Sequence, residues 1–216
     1  MQEATTHKYT ECHTVFDDQG KPALRSFSHS ISIPPKPHRL GVLLVGLGGN
    51  NGSTFYAGIL ANRKDIHFQT KRGLIRSNYF GSFTQCATIR VGVKHTPSGL
   101  EDVYKSVNDL VSLSNPSHDL VMDGWDISGA NLYEAAKRAR VLEPDLLRQL
   151  KDDLEQVKPM PGAFNLDFVA KNQEERADNV IPGTNAEVVS QIEKDIENFR
   201  EKHKLSKVVV LWTANT

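Results

Sequence analysis

The segment Leu40-Gly41-Val42-Leu43-Leu44-Val45, followed at once by Gly46-Leu47-Gly48-Gly49-Asn50-Asn51-Gly52, constrains this chain more than any other. The aliphatic run has the length and composition of a strand buried on both faces. The residues after the glycines, Ser53 to Arg63, read as a helix. Strand, glycine-rich turn and helix open a βα unit, and such units build α/β folds with a doubly wound parallel sheet. Gly46 and Gly48 have the spacing of the first two glycines of G-x-G-x-x-G, with Asn51 at the last position of that pattern and Gly52 one later. Glycines turn tightly and admit a pyrophosphate to the backbone, while the free amides of a helix N-terminus face the anion. Asparagine tolerates positive φ and adds an amide donor. On this segment alone, a dinucleotide site and a merely tight turn both remain open.

The rest of the chain is consistent with one such domain behind a short leader. Residues 1–13 are polar and expected to be mobile. Thr14-Val15-Phe16, the turn Asp17-Asp18-Gln19-Gly20 and the partly alternating Leu24 to Ile33 read as a β-hairpin. Pro34-Pro35-Lys36-Pro37 is a stiff extended linker and the clearest boundary, giving an expected division into residues 1–37 and 38–216. Within the second part, Asp65 to Gly81 looks loop-like, and Ala87 to Val93 alternates as a strand would. Leu120-Val121-Met122 is a second apolar run, ending at Asp123-Gly124-Trp125-Asp126. Two helices follow, one with Leu132, Ala135, Ala136 and Ala139 on its stripe, the other with Leu146, Leu147, Leu150, Leu154 and Val157. Pro159-Met160-Pro161-Gly162 ends the second. A last helix starts at the capping box Thr184-Asn185-Ala186-Glu187 and leads to Lys207–Trp212, read as another buried parallel strand.

Composition narrows the functional classes. The 26 Lys+Arg balance the 26 Asp+Glu, which argues against nucleic-acid binding through a basic field. Two cysteines, Cys12 and Cys86, make neither a disulfide framework nor a zinc cluster, and no histidine pair has ligand spacing. No apolar run reaches the roughly 18 residues that would span a membrane, and Met1 to Asp18 lacks a signal-peptide core. The expectation is a cytoplasmic protein without membrane or nucleic-acid partners and without a bound metal.

A dinucleotide fold needs an acid at the end of its second strand to hold the adenosine ribose. Asp65 to Arg72 offers no strand ending in an acid, but Asp126 at the end of the second apolar run could serve, or could be a turn aspartate. Thr213-Ala214-Asn215-Thr216 follows the last strand, where ligand crevices open in such sheets, although an ordinary loop would also look like this.

At this point the residues resemble a known family. Gly46-Leu47-Gly48-Gly49-Asn50-Asn51-Gly52 is similar to the G-W-G-G-N-N-G signature of eukaryotic myo-inositol-1-phosphate synthase, also called inositol-3-phosphate synthase. Further blocks of that family are resembled, in order, by Asn78-Tyr79-Phe80-Gly81-Ser82 with Thr88-Ile89-Arg90-Val91-Gly92, by Gly124-Trp125-Asp126-Ile127, by Asn172-Gln173 with Arg176-Ala177-Asp178-Asn179, and by Val208 to Thr216. The resemblance implies an NAD-binding Rossmann-like domain and the isomerisation of D-glucose 6-phosphate to 1D-myo-inositol 3-phosphate, in inositol and phospholipid biosynthesis. It also implies NAD as cofactor and a homotetramer for the full-length family.

Carried over residue by residue, the resemblance puts Gly48, Gly49, Asn50 and Asn51 at the pyrophosphate and Asp126 on the adenosine ribose. Gly162, Ala163, Gln173 and Arg176 would flank the adenosine side, and Thr213, Ala214, Asn215 and Thr216 would line the crevice. Leu47 replaces the usual Trp and is expected to loosen packing beside the turn; Lys171 replaces an Ala; Gly162 offers no hydroxyl. Family members run to roughly twice this length or more, and their catalytic lysines and aspartates lie beyond the matched blocks. The chain therefore reads as a truncated, N-terminal part of such an enzyme, with no catalytic residue of its own, binding NAD weakly and inactive alone. The alternatives are a catalytically inactive NAD-binding or interaction module and a generic dehydrogenase-like protein, the latter disfavoured by the ordered blocks.

Overall fold

A computed structural model describes residues 4–33, 39–111, 113–165, 167 and 171–214, with the side chains of residues 171 and 172 outside that description. The Pro-rich linker lies outside the described residues as well. The chain divides into two compact units, Met1–Lys36 and Pro37–Thr216.

The first unit is a hairpin of two long antiparallel strands, β1 (Thr5–Phe16) and β2 (Pro22–Ile33), in continuous register from Thr5↔Ile33 to Phe16↔Pro22. Gly20 takes φ +75°, and the Asp17 carboxylate accepts from the amides of Gln19 and Lys21, which closes the turn. The strand begins nine residues before the expected Thr14, because Thr5 to His13 alternates too. His7, Tyr9, His13, Phe27 and Ile31 share one face, while Thr6, Thr10, Thr14, Ser26, Ser28 and Ser30 share the other. A segment read as polar and mobile is thus half of a two-faced ribbon.

The second unit opens with β3 (Leu40–Val45), whose Leu43 and Leu44 are both fully buried on opposite faces. Helix α1 (Asn50–Arg63) follows and starts three residues earlier than expected, with Gly49 as its N-cap. An excursion then separates it from the next strand of the main sheet. It comprises the hairpin β4 (His67–Thr70) and β5 (Gly73–Arg76), helix α2 (Phe83–Cys86), the hairpin β6 (Thr88–Thr96) and β7 (Gly99–Ser106), and the short helices α3 (Val107–Leu110) and α4 (Pro116–Asp119). The stretch read as loop-like contains β4 and β5, four-residue strands too short to show a period. Arg63 ties this excursion to α1 by donating to the carbonyls of Ser117 (2.8 Å) and Leu120 (3.0 Å).

Strand β8 (Leu120–Asp126) returns to the sheet, followed by α5 (Leu132–Ala139), α6 (Pro144–Gln149), α7 (Lys151–Glu155) and the two-residue strand β9 (Met160–Pro161). The second expected helix is broken in two at Leu150, whose ψ of 0° is not helical. Then come a 3-10 turn over Lys171–Arg176, α8 (Asn185–His203) and β10 (Lys207–Trp212). The capping box of α8 is formed: Thr184 accepts from the amide of Glu187, and Glu187 accepts from the amide of Thr184 at 2.7 Å.

The main sheet is all parallel, in the order β10-β3-β8-β9. By chain order that is fourth, first, second, third, the arrangement of a Rossmann half with one further strand. Val42, Leu44 and Leu47 pack against Ala57 and Leu60 of α1 and Leu132, Leu150 and Leu154 of α5–α7. Leu43 and Trp125 pack on the other side against Phe199 and Leu205. Trp125 Nε1 also donates to Asp195 of α8 at 2.9 Å. Strand β10 departs from expectation. It is parallel, but it is the sheet's outer strand, and Val209 and Trp212 are 47% and 67% exposed.

Candidate functional site

In a parallel sheet the ligand crevice opens at the carboxyl ends of the strands, where the strand order reverses. Here the reversal lies between β3 and β10, and their ends are locked to each other. Thr213 donates its amide (2.9 Å) and its hydroxyl (2.8 Å) to the carbonyl of Val45. Gly46 stands at φ +86°, and a Cβ there would lie 2.8 Å from Cα of Ala214. Only glycine fits both the left-handed backbone and the close approach. On the opposite side, the amides of Gly46 and Leu47 both donate to the carbonyl of Trp125, at 2.9 and 3.0 Å, which fastens the turn to β8. Leu47, where the family has Trp, is fully buried in the core.

The turn leads into a helix end suited to an anion. Gly49 caps α1 without a side-chain hydrogen bond, and the first turn carries no acidic residue. The first amides of a helix have no internal partner, so an uncapped end presents them, with the positive end of the dipole, to an incoming phosphate. Asn50 and Asn51 are exposed there, and Asn51 Nδ2 reaches the carbonyl of Thr213 at 3.5 Å. Gly48 is buried, and a Cβ on it would press within 3.1 Å of the Asp126 carboxylate.

Asp126 ends β8 and is 5% exposed. Its Oδ2 accepts from the amide of Gly48 at 2.8 Å, and its Oδ1 accepts from the amide of Ser128 at 3.0 Å. A carboxylate has about four acceptor sites, so two such bonds leave it able to accept from a vicinal diol. The acid that sequence spacing did not find about 20 residues on is therefore at the end of the second strand, displaced along the chain by the excursion between α1 and β8.

Gly162 is buried beside the same carboxylate's main chain, where a Cβ would lie 3.0 Å from the Asp126 carbonyl carbon. Ala163 follows it and is exposed. Gln173 and Arg176 are half-buried on the 3-10 turn, whose continuation returns to the β8 end: Asp178 accepts from the amide of Gly129 at 2.7 Å, and Asn179 donates to the carbonyl of Ile127 at 2.9 Å. Nε of Arg176 is buried with no hydrogen-bond partner among the described residues, a donor that a ligand's acceptor would satisfy. Thr213 and Ala214 follow the end of β10, at the switch point; Asn215 and Thr216, and the side chain of Lys171, lie outside the described residues.

Two residues named in the sequence motifs but given no site role there take one on in the structure. Gly52 has main chain where a Cβ would go, 2.4 Å from the Gly46 carbonyl oxygen and 2.6 Å from that of Leu47. It plays the part of the third fingerprint glycine, in a pattern one residue longer than G-x-G-x-x-G. The signal was present in the Gly at that offset. Asn179, described below, lies in a family-like block, but nothing there marked what its side chain holds.

These features fit a dinucleotide: an open helix end for the pyrophosphate, a buried acid for a ribose, glycines where side chains would fill the cradle, and a guanidinium nitrogen without a partner among the described residues. Comparison with known proteins agrees. The sequence model for myo-inositol-1-phosphate synthase, an NAD-binding domain, matches residues 40–216. Inositol-3-phosphate synthase 1 of rice is 53% identical over 190 residues, which covers 88% of this chain and 36% of the relative. The inositol-3-phosphate synthase of Saccharomyces cerevisiae is 47% identical over 84% of this chain and 35% of its own length. The crystal structure of inositol-3-phosphate synthase from Caenorhabditis elegans superimposes with a TM-score of 0.84 at 41% identity, covering 99% of this chain and 42% of that one. The chain thus spans about a third of the length of the curated relatives it matches. With the Rossmann order of its sheet and the glycine turn at its switch point, the chain belongs to the myo-inositol-1-phosphate synthase family, of which it carries the NAD-binding domain.

Proposed function

We propose that this chain supplies the cofactor-holding part of an inositol-3-phosphate synthase, which isomerises D-glucose 6-phosphate to 1D-myo-inositol 3-phosphate. The observation that carries the proposal is the buried Asp126 carboxylate bonded to the Gly48 amide beside an uncapped helix N-terminus. Substrate and product are isomers, so a hydride removed must be returned within one cycle. Bound NAD supplies that reversible hydride acceptance and release. Gly48, Gly49, Asn50 and Asn51 bind the pyrophosphate through main-chain amides and carboxamides. Asp126 accepts from the adenosine ribose hydroxyls, Gly162 and Ala163 with Gln173 and Arg176 flank the adenosine, and Thr213 and Ala214 line the crevice toward the reacting end, a role that the family resemblance extends to Asn215 and Thr216. Holding the cofactor throughout is the task these residues suit, because a dissociated reduced cofactor would leave an oxidised sugar behind.

Glucose 6-phosphate as substrate and assembly into a tetramer rest on the family and belong to the proposal. Cys12 and Cys86 are both free and exposed, which suits a reducing compartment such as the cytoplasm. A second reading is an inactive NAD-binding module, since every site residue assigned in this chain holds the cofactor and none acts on the sugar. An assay of the purified 216-residue chain with glucose 6-phosphate and NAD tests the assignment of roles. NAD binding without release of inositol phosphate is expected, since no residue of this chain is assigned to the proton transfers. Turnover by the chain alone would overturn that assignment.

A further inference from the structure

The main chain of Asp126 is held by a side-chain contact as well as by the sheet. Strands β8 and β9 pair only through Trp125↔Met160 and Asp126↔Pro161 and then part. The segment around Asn179 enters where they part. Its amide donates to the Ile127 carbonyl, its carbonyl accepts from the Gly162 amide, and the Ile181 amide donates to the Gly162 carbonyl, each at 2.9 Å. The Asn179 side chain then does what no main-chain group there can. Its Nδ2 faces three carbonyl oxygens, of Asp126 at 3.0 Å, Met160 at 3.2 Å and Pro159 at 3.3 Å. Carbonyls only accept, so the carboxamide must turn its NH2 toward them. One side chain thereby joins the end of β8 to Met160 of β9 and to Pro159 just before it.

We propose that Asn179 is the positioning residue for Asp126, holding the end of β8 so that the carboxylate stays aimed at the adenosine ribose while it bonds Gly48 and Ser128. This rests on the NAD-binding reading given above. Gly162, where a Cβ would press at 3.0 Å on the Asp126 main chain, packs closely beside the clamp. Asn179 touches no cofactor atom in this account; it acts through Asp126.

The test compares NAD with its 2′-deoxyadenosine analogue, which lacks a hydroxyl that Asp126 would hold. Affinities are measured calorimetrically for the 216-residue chain and for Asn179→Ala and Asn179→Ser, each checked for a folded circular-dichroism spectrum. In the parent chain the analogue should bind about tenfold more weakly than NAD, the loss expected when a charged hydrogen bond is removed. In Asn179→Ala that preference should fall to about twofold or less, with NAD weakened and the analogue unchanged. Asn179→Ser, which keeps one donor, should lie between. A purely structural role would weaken both ligands alike and leave the ratio at its parental value, which would overturn the proposal. Loss of folding in both variants would overturn it as well, by assigning Asn179 to stability. If the parent bound NAD but ignored the missing hydroxyl, the ribose role of Asp126 would fall, and this inference with it. If it bound no NAD, the NAD reading itself would fall first.

Discussion

Gly48 donates its main-chain amide to the carboxylate of Asp126 at 2.8 Å, joining residues 78 positions apart. The bond links the turn after the first strand of the sheet to the end of the second, the two places to which the proposed function assigns the pyrophosphate and the ribose of one ligand. Asp126→Ala leaves the amides of Gly48 and Ser128 without their acceptor. Unfolding in urea should show a loss of about 2–3 kcal/mol, the cost of orphaning buried donors that faced a charge. Stability equal to that of the parent would show that the carboxylate is not part of the folded rim.

Two glycines of α1 should respond oppositely to the same substitution. Gly52 has main-chain oxygens of Gly46 and Leu47 at 2.4 and 2.6 Å from where a Cβ would stand, whereas Gly58 has nothing within 4 Å. Gly52→Ala should cost about 1–3 kcal/mol, because main chain rather than a flexible side chain must give way. Gly58→Ala should add about 0.5–1 kcal/mol through helix propensity. Thermal unfolding of the two variants checks the contrast, and equal shifts would contradict it.

The α8 cap should be lost in acid. Glu187 accepts hydrogen bonds from the amide of Thr184 and then from its hydroxyl, which together hold its pKa below the ordinary 4.5. A carboxylate with a depressed folded pKa stabilises above its unfolded pKa, and that contribution disappears as pH falls through the folded value. The melting temperature of the parent should therefore exceed that of Glu187→Gln at pH 7. The gap should narrow below about pH 4.5. A gap unchanged at pH 3 would contradict the capping role.

Asp123 on β8 has the opposite sign. Burial pushes its pKa up from 3.8, only partly offset by the Gly124 amide and by Lys202 and His203, while Asp195 adds to the rise. Keeping this carboxyl charged at neutral pH costs stability that is recovered as pH falls toward the unfolded pKa. Asp123→Asn, which can still accept from Gly124, should raise the melting temperature at pH 7 and lose that advantage near pH 4. A lower melting temperature at pH 7 would show that the charge is needed where it stands.

Sequence patterns carried the βα entry, the last helix and the last strand, because each rests on local chemistry: an aliphatic run, a glycine turn, a Thr–Glu capping box. What they missed depends on partners distant in sequence. Strand β9 is two residues long and exists because β8 offers it an edge, so no periodicity could mark it. Strand β10 is as aliphatic as β3, yet it lies at the outside of the sheet, and composition does not distinguish an inner strand from an outer one. In the candidate site, Gly48 and Asp126 could be singled out individually, but that they touch follows from the excursion of Asp65 to Asp119 being left out of the sheet. Asn179 was invisible as a site residue, since three main-chain carbonyls from two other segments give its carboxamide its purpose.

The most direct test is a calorimetric titration of NAD into the 216-residue chain, with Gly48→Val as its control. Val at this position would crowd the Asp126 carboxylate and fill the cradle, so it should abolish binding in a chain that still shows a folded spectrum. The account predicts weak but saturable one-to-one binding to the parent and none to the variant. No saturable binding to a folded parent, or equal binding to both, would contradict it.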